Sequence, residues 1–127
     1  MKRVLFVCIE SSIRSQMAEA FARMYGGEDI QAFSAVAVPS EPISPTAIRF
    51  MSEIGYDLSR HIPKSLGEID GEFDAVVTMG ADDSCLGVKA KRREKWELRD
   101  PKLMDDIGCR VVRNEISQRV KALLNNL

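Results

Sequence analysis

With 127 residues the chain has the length of one ordinary domain and can bury a core without disulfide or metal staples. Its 45% hydrophobic and 29% charged residues are those of a soluble globular protein, and a net charge of -1 with no basic half argues against a nucleic-acid binder. The longest apolar runs fall well short of the roughly 20 residues that cross a bilayer, and the run after Met1-Lys2-Arg3 is too short for a signal-peptide core, so a cytoplasmic protein off the membrane is expected.

In chain order, Val4-Leu5-Phe6-Val7 reads as a buried strand, followed by a tight loop from Cys8 to Ser15 and a helix running to about Tyr25. Met17, Ala20, Phe21 and Met24 give that helix its apolar spacing, and Gly26-Gly27 stops it. Ile30 to Ser34 reads as a second strand and Pro39 to Pro45 as a proline-punctuated loop. Ser44 and Pro45 look like the cap and first residue of a helix through Ile48, Met51 and Ile54, halted at Gly55. An irregular segment over 56–64 and a helical turn near Ser65 to Ile69 precede Ala75-Val76-Val77-Thr78-Met79, the clearest central strand. Lys89 to Lys95 is read as a solvated basic loop ending on a core residue, Trp96. The final helix is expected from about Asp105 to Asn125, with Val112, Ile116, Val120 and Leu123 along one face and Cys109 in the core. Strands alternating with helices predict one α/β domain over 1–127, a parallel sheet of about four strands with helices on both faces.

The chemistry is concentrated in the first loop. A strand, a tight loop and a helix N-terminus make a backbone anion cradle, and here the loop opens with the Cys8 thiol and ends with the Arg14 guanidinium. Amides and helix dipole favour negative charge there, so the thiol is expected at the low pKa of an activated cysteine. A tetrahedral oxyanion would occupy the same cradle, gripped by Arg14 in a bidentate fork while Cys8 attacks its central atom. The alternative reading, a buried strand-end cysteine and a surface arginine, fits each residue singly but not the joint pattern. Cysteines at 8, 85 and 109 with one histidine have no metal-ligand spacing, so neither metal nor cofactor is expected. His61, in the irregular segment, reads as an orienting or packing group.

Val4 to Cys8 and Arg14-Ser15-Gln16-Met17-Ala18-Glu19-Ala20 resemble the signature of the low-molecular-weight protein tyrosine phosphatase superfamily, and the Ser-Gln-Met-Ala-Glu continuation is especially similar to its arsenate reductase branch. Pro45-Thr46-Ala47 to Ser59, Asp74 to Gly80, and Trp96-Glu97-Leu98 with Asp100-Pro101 extend the resemblance along nearly the whole chain. It implies Cys8 as nucleophile and Ile9, Glu10, Ser11, Ser12, Ile13 and Arg14 as the oxyanion cradle. It also implies the Ser15 hydroxyl as a donor to the thiolate and Asp100 as the general acid on the leaving oxygen. By itself Asp100-Pro101 is also an ordinary loop turn before a helix.

Two departures from the family pattern matter. Ser11 stands where asparagine is usual, and Glu10 brings a negative side chain close to an anion site, from which it must turn away. The redox relay of many such reductases places one or two cysteines after the strand that here ends at Met79. This chain has only Cys85 in that segment, so the two-step relay is excluded in its usual form. Cys85 remains a candidate direct partner for Cys8, with a loop cysteine of no role as the alternative. Three functions follow. The first is an arsenate reductase that forms a thiol–arsenate adduct and draws on thioredoxin, glutaredoxin or a low-molecular-weight thiol. The second is a phosphatase acting through a phosphocysteine. The third is a non-enzymatic anion-binding module. The reductase is favoured, because no aromatic residue lies between Val36 and Pro45 to stack a phenyl ring, and because binding alone needs neither nucleophile nor acid.

Overall fold

The structure, a computed structural model, describes residues 1–8, 13–36, 43–62, 64–79 and 88–127. Strand β1 (Lys2–Cys8) lies between β2 (Ile30–Val36) and β3 (Glu72–Met79), with β4 (Lys89–Trp96) beyond β3, and every pairing is parallel. The unbroken apolar run of β1 fits a strand covered on both sides, as a central parallel strand must be. Cys8 stands level with Val36 and Met79, and Met79 with Trp96, so the carboxyl ends of all four strands form one edge.

Helix α1 (Ile13–Gly26) returns the chain from that edge, and Gly27, at φ +57°, ends it in the left-handed region. In α2 (Pro45–Ser52) the Ser44 hydroxyl accepts the amide of Thr46 at 3.2 Å, Pro45 occupies the first turn, and Gly55 turns the chain away at φ +85°. The last helix, α3 (Asp106–Asn125), is capped by Asp105, which accepts the amide of Gly108 at 2.8 Å.

Val4, Phe6 and Cys8 point to the face where Met17 and Phe21 of α1, Phe50 and Met51 of α2, and Val112, Ile116, Val120 and Leu123 of α3 make the main core. Leu5, Val7 and Val76 point to the other face and meet Leu66 and Ile69, at and just beyond the short 3-10 turn Leu66–Glu68. Helical segments therefore lie on both faces, unequally. Phe6, fully buried against the ring of Trp96, is a pivot of the main core, and its truncation to alanine removes roughly 3–5 kcal/mol of stability. Arginines pin α2 to α3: Glu53 accepts from Arg110 and Arg113, and Arg49 pairs with Asp106. The two guanidiniums hold the Glu53 carboxyl down at about 2, the bonds to Arg110 contributing most.

Three elements differ from the sequence expectation. Helix α1 begins at Ile13, so Arg14 and Ser15 belong to its first turn rather than to the loop, and β2 runs on to Val36. Lys89 to Lys95, expected as a solvated loop, is an edge strand in register with β3 from Glu72 opposite Lys89 to Met79 opposite Trp96. An edge strand needs no apolar run, and its charged side chains keep an unpaired backbone from adding another chain.

Candidate active site

The nucleophile candidate is the last residue of β1. Its Sγ is fully buried and accepts the amide of Ser15 at 3.1 Å and a hydrogen bond from the Ser15 hydroxyl, both from the first turn of α1. Strand and helix thus meet at the sulfur, as the sequence order predicts. The expected fall in its pKa does not follow from this geometry. Burial pushes the Cys8 thiol up, the Ser15 hydroxyl, Arg14 and the Ser15 amide oppose the rise, and the Asp100 carboxylate adds to it. In a site this dry, loss of hydration outweighs a few favourable contacts. Ile9, Glu10, Ser11 and Ser12, whose amides belong to the expected cradle, lie outside the described residues, as does Cys85.

Arg14 is 8% exposed and bridges two distant segments. Its Nη1 donates to the carbonyl of Leu98 at 2.8 Å, and its Nη2 lies 3.8 Å from Oδ2 of Asp100. Its Nε is buried and has no hydrogen-bond partner among the described residues. A buried guanidinium donor left without an acceptor costs free energy, and an anion is an acceptor that its charge and planar donor geometry suit. Asp100 caps the 3-10 turn Pro101–Leu103, its Oδ1 accepting the amide of Lys102 at 3.0 Å, while its half-buried carboxylate also faces Arg14. One side chain of Asp100 therefore both caps the turn and faces Arg14. Cys8, Arg14, Ser15 and Asp100 meet at one sheet edge, as open parallel sheets place their sites.

A second set of polar groups supports α1 from below and was only partly legible in the sequence. Tyr56 Oη bonds Nε2 of His61 at 2.6 Å, and Nδ1 of His61 bonds Oε1 of Gln16 at 3.0 Å and lies 3.2 Å from Oε2 of Glu19. A hydroxyl donating to Nε2 leaves the proton on Nδ1, and burial keeps His61 below its ordinary pKa against the pull of Glu19. The histidine is thus an orienting group, as expected, whereas Gln16, Glu19 and Tyr56 were not singled out. Gln16 and Glu19 signal themselves only as polar residues on a face of α1 that proves to be buried, and Tyr56, in the irregular segment after α2, carries no local signal. A surface cavity of about 640 Å³ opens beside them, lined by Arg23, Arg60 and Lys64, and contains none of the Cys8 constellation. Among the described residues no cluster of histidine, cysteine and carboxylates has the arrangement of a metal site.

The model of the low molecular weight phosphotyrosine protein phosphatase family matches residues 3–127. The chain is 34% identical to the glutaredoxin arsenate reductase of Synechocystis sp. across 98% of this chain and 97% of that one. Among solved structures, an arsenate reductase in its phosphate-binding state superposes with a TM-score of 0.88 at 32% identity, covering 99% of this chain and 98% of that one. A low molecular weight protein tyrosine phosphatase from T. tengcongensis gives 0.82 at 28% identity, with both chains fully covered. Fold, sequence and family model agree along almost the whole length, and the chain belongs to the low molecular weight phosphotyrosine protein phosphatase family.

Proposed function

We propose that this enzyme is an arsenate reductase that works through a Cys8 thiol–arsenate adduct. The observation that carries the reading is the convergence at one sheet edge of Cys8, Asp100 and Arg14, whose buried Nε has no partner among the described residues. The names of the similar proteins supply the substrate.

In the proposed reaction the Cys8 thiolate attacks arsenic(V) and displaces one oxygen. That oxygen leaves as water once Asp100 gives it a proton. Arg14 and the amides of positions 9 to 14 hold the remaining oxygens and the charge that builds on them. The Ser15 hydroxyl and amide stabilise the thiolate before attack and sulfur as it changes bonding. A second thiol then attacks Sγ of Cys8. The As–S bond breaks with its electron pair on arsenic, arsenite leaves as arsenic(III), and a disulfide remains for a further thiol to reduce. Two electrons from two thiols balance the reduction.

The second thiol comes from Cys85 or directly from the donor, since Cys109 is buried on α3 and turned to backbone carbonyls. Thioredoxin, glutaredoxin or a low-molecular-weight thiol would serve, in the reducing cytoplasm where free thiols persist. No helix among the described residues is long and apolar enough to cross a membrane.

The alternative is a phosphatase sharing the first half-reaction, in which water cleaves a phosphocysteine with Asp100 as base. Purified protein assayed for arsenate reduction with each donor, beside hydrolysis of aryl phosphates, separates the two. Donor-dependent arsenite release supports the reductase. Steady aryl phosphate turnover with no arsenite from any donor overturns it in favour of the phosphatase. Mass spectrometry after one arsenate turnover then assigns the resolving thiol, as a Cys8–Cys85 disulfide or as a mixed disulfide of Cys8 with the donor.

A further inference from the structure

The turn that presents Asp100 is fastened at two points. Upstream, the Leu98 carbonyl accepts from Arg14 at 2.8 Å. Downstream, the Pro101 carbonyl accepts from the Sγ of Cys109 at 3.4 Å, and the Met104 carbonyl lies 3.8 Å from the same sulfur. Cys109 is in the first turns of α3, only 2% exposed, and its own amide is held by the Asp105 carbonyl at 3.0 Å. The thiol therefore projects from a fixed helix onto the 3-10 turn Pro101–Leu103, whose N-cap is Asp100. The Met104 amide meets the same Pro101 carbonyl at 3.1 Å, so helix and turn share that oxygen as an acceptor.

We infer that Cys109 is a positioning residue for the general acid: its S–H braces the Pro101 carbonyl against α3 and so fixes the direction in which Asp100 offers its proton. Cys109 touches neither substrate nor the reacting sulfur. It acts through the turn, and the inference rests on the acid role proposed for Asp100. Burial and the nearby Asp105 and Asp106 carboxylates keep the Cys109 thiol protonated, the form that can donate. A sulfur that only filled space would be served as well by any small apolar side chain. A brace requires a donor, and this difference can be measured.

Cys109→Ser and Cys109→Ala remove nearly the same volume and differ by one hydroxyl. A brace predicts that serine retains most of the function and alanine does not. Losing one hydrogen bond of ordinary net strength lowers the acid-assisted step by roughly 2- to 10-fold. With aryl phosphates of differing leaving-group pKa, Cys109→Ala should lower kcat by that factor for poor leaving groups and spare good ones, with KM unchanged, while Cys109→Ser stays within about twofold of the parent, well inside the range of one lost bond. A readout free of activity accompanies this: the Lys102 and Met104 amides should exchange hydrogen faster in Cys109→Ala than in Cys109→Ser. If alanine equals or surpasses serine in both measurements, Cys109 is a packing residue and the inference is overturned. Asp100→Asn in the same series keeps the two readings apart. If Asp100→Asn shows the leaving-group dependence and Cys109→Ala shows neither it nor faster exchange, the brace fails and the acid stands. If Asp100→Asn shows no such dependence while the exchange difference persists, the brace holds the turn but the acid role fails.

Discussion

Replacing Arg14 by lysine keeps one positive charge beside Cys8 and discards the geometry of the guanidinium. In the folded chain that geometry gives a 2.8 Å bond to the Leu98 carbonyl, an approach to Asp100 at 3.8 Å, and a buried Nε without a partner among the described residues, which in the proposed reaction meets the oxyanion. An ammonium on its flexible stem cannot serve them together. The lost charge-assisted bond to a buried carbonyl costs about 1.5–3 kcal/mol, which for a domain of this size lowers Tm by roughly 5–15 °C. Loss of one donor to the developing oxyanion costs about 2.7–4 kcal/mol, so kcat should fall about 100- to 1000-fold on top of the change in stability. Arsenate and phosphate should also protect Cys8 from alkylation by iodoacetamide in the parent but not in Arg14→Lys. The assays are arsenite release or aryl phosphate hydrolysis at a temperature where both proteins are folded, with thermal unfolding followed by the single tryptophan. A lysine variant with kcat within about threefold of the parent, far less than one oxyanion donor supplies, and undiminished anion protection would show that the guanidinium fork does not hold the substrate.

Cys8→Ser should abolish arsenate reduction and phosphate-ester hydrolysis while leaving Tm close to the parent value, because the thiolate is removed and the Ser15 and Arg14 donors remain; more than trace turnover would take Cys8 out of the nucleophile role. Asp100→Asn should slow poor leaving groups far more than good ones, and a uniform loss across the series would count against a proton donor. The Glu53 carboxyl, held at about 2 against an ordinary 4.5, contributes stability that is complete above pH 4.5 and fades as pH falls towards 2. Urea midpoints measured from pH 6 to pH 2.5 should therefore decline more steeply below pH 4.5 in the parent than in Glu53→Gln, and parallel curves would remove the Arg110–Glu53–Arg113 link from the acid response.

Much of the fold was legible because its signals are local. The strand β1 announces itself by an apolar run, α2 by Ser44-Pro45 at one end and Gly55 at the other, and α3 by apolar residues at helical spacing. The spacing of Cys8 and Arg14 across a strand–loop–helix junction is likewise local, since a tight loop leaves few ways to arrange its two ends. Strand β4 was illegible for the opposite reason: Lys89 to Trp96 is a strand because β3 offers it a backbone to pair with, and no run of lysines and arginines reports that.

The sequence by itself determined the chemistry available, a thiol and a guanidinium six positions apart after a buried strand, together with the alternation of elements that yields a parallel sheet. Only the tertiary structure decided how those groups behave. The bond from Arg14 to the Leu98 carbonyl joins residues 84 positions apart, and that from His61 to Gln16 joins residues 45 apart. The upward push on the Cys8 thiol comes from its burial in the main core, which no loop motif encodes. Residue types and local spacing fix which bonds a site can make, whereas dielectric, register and the partner from the far end of the chain exist only once the core has closed around them.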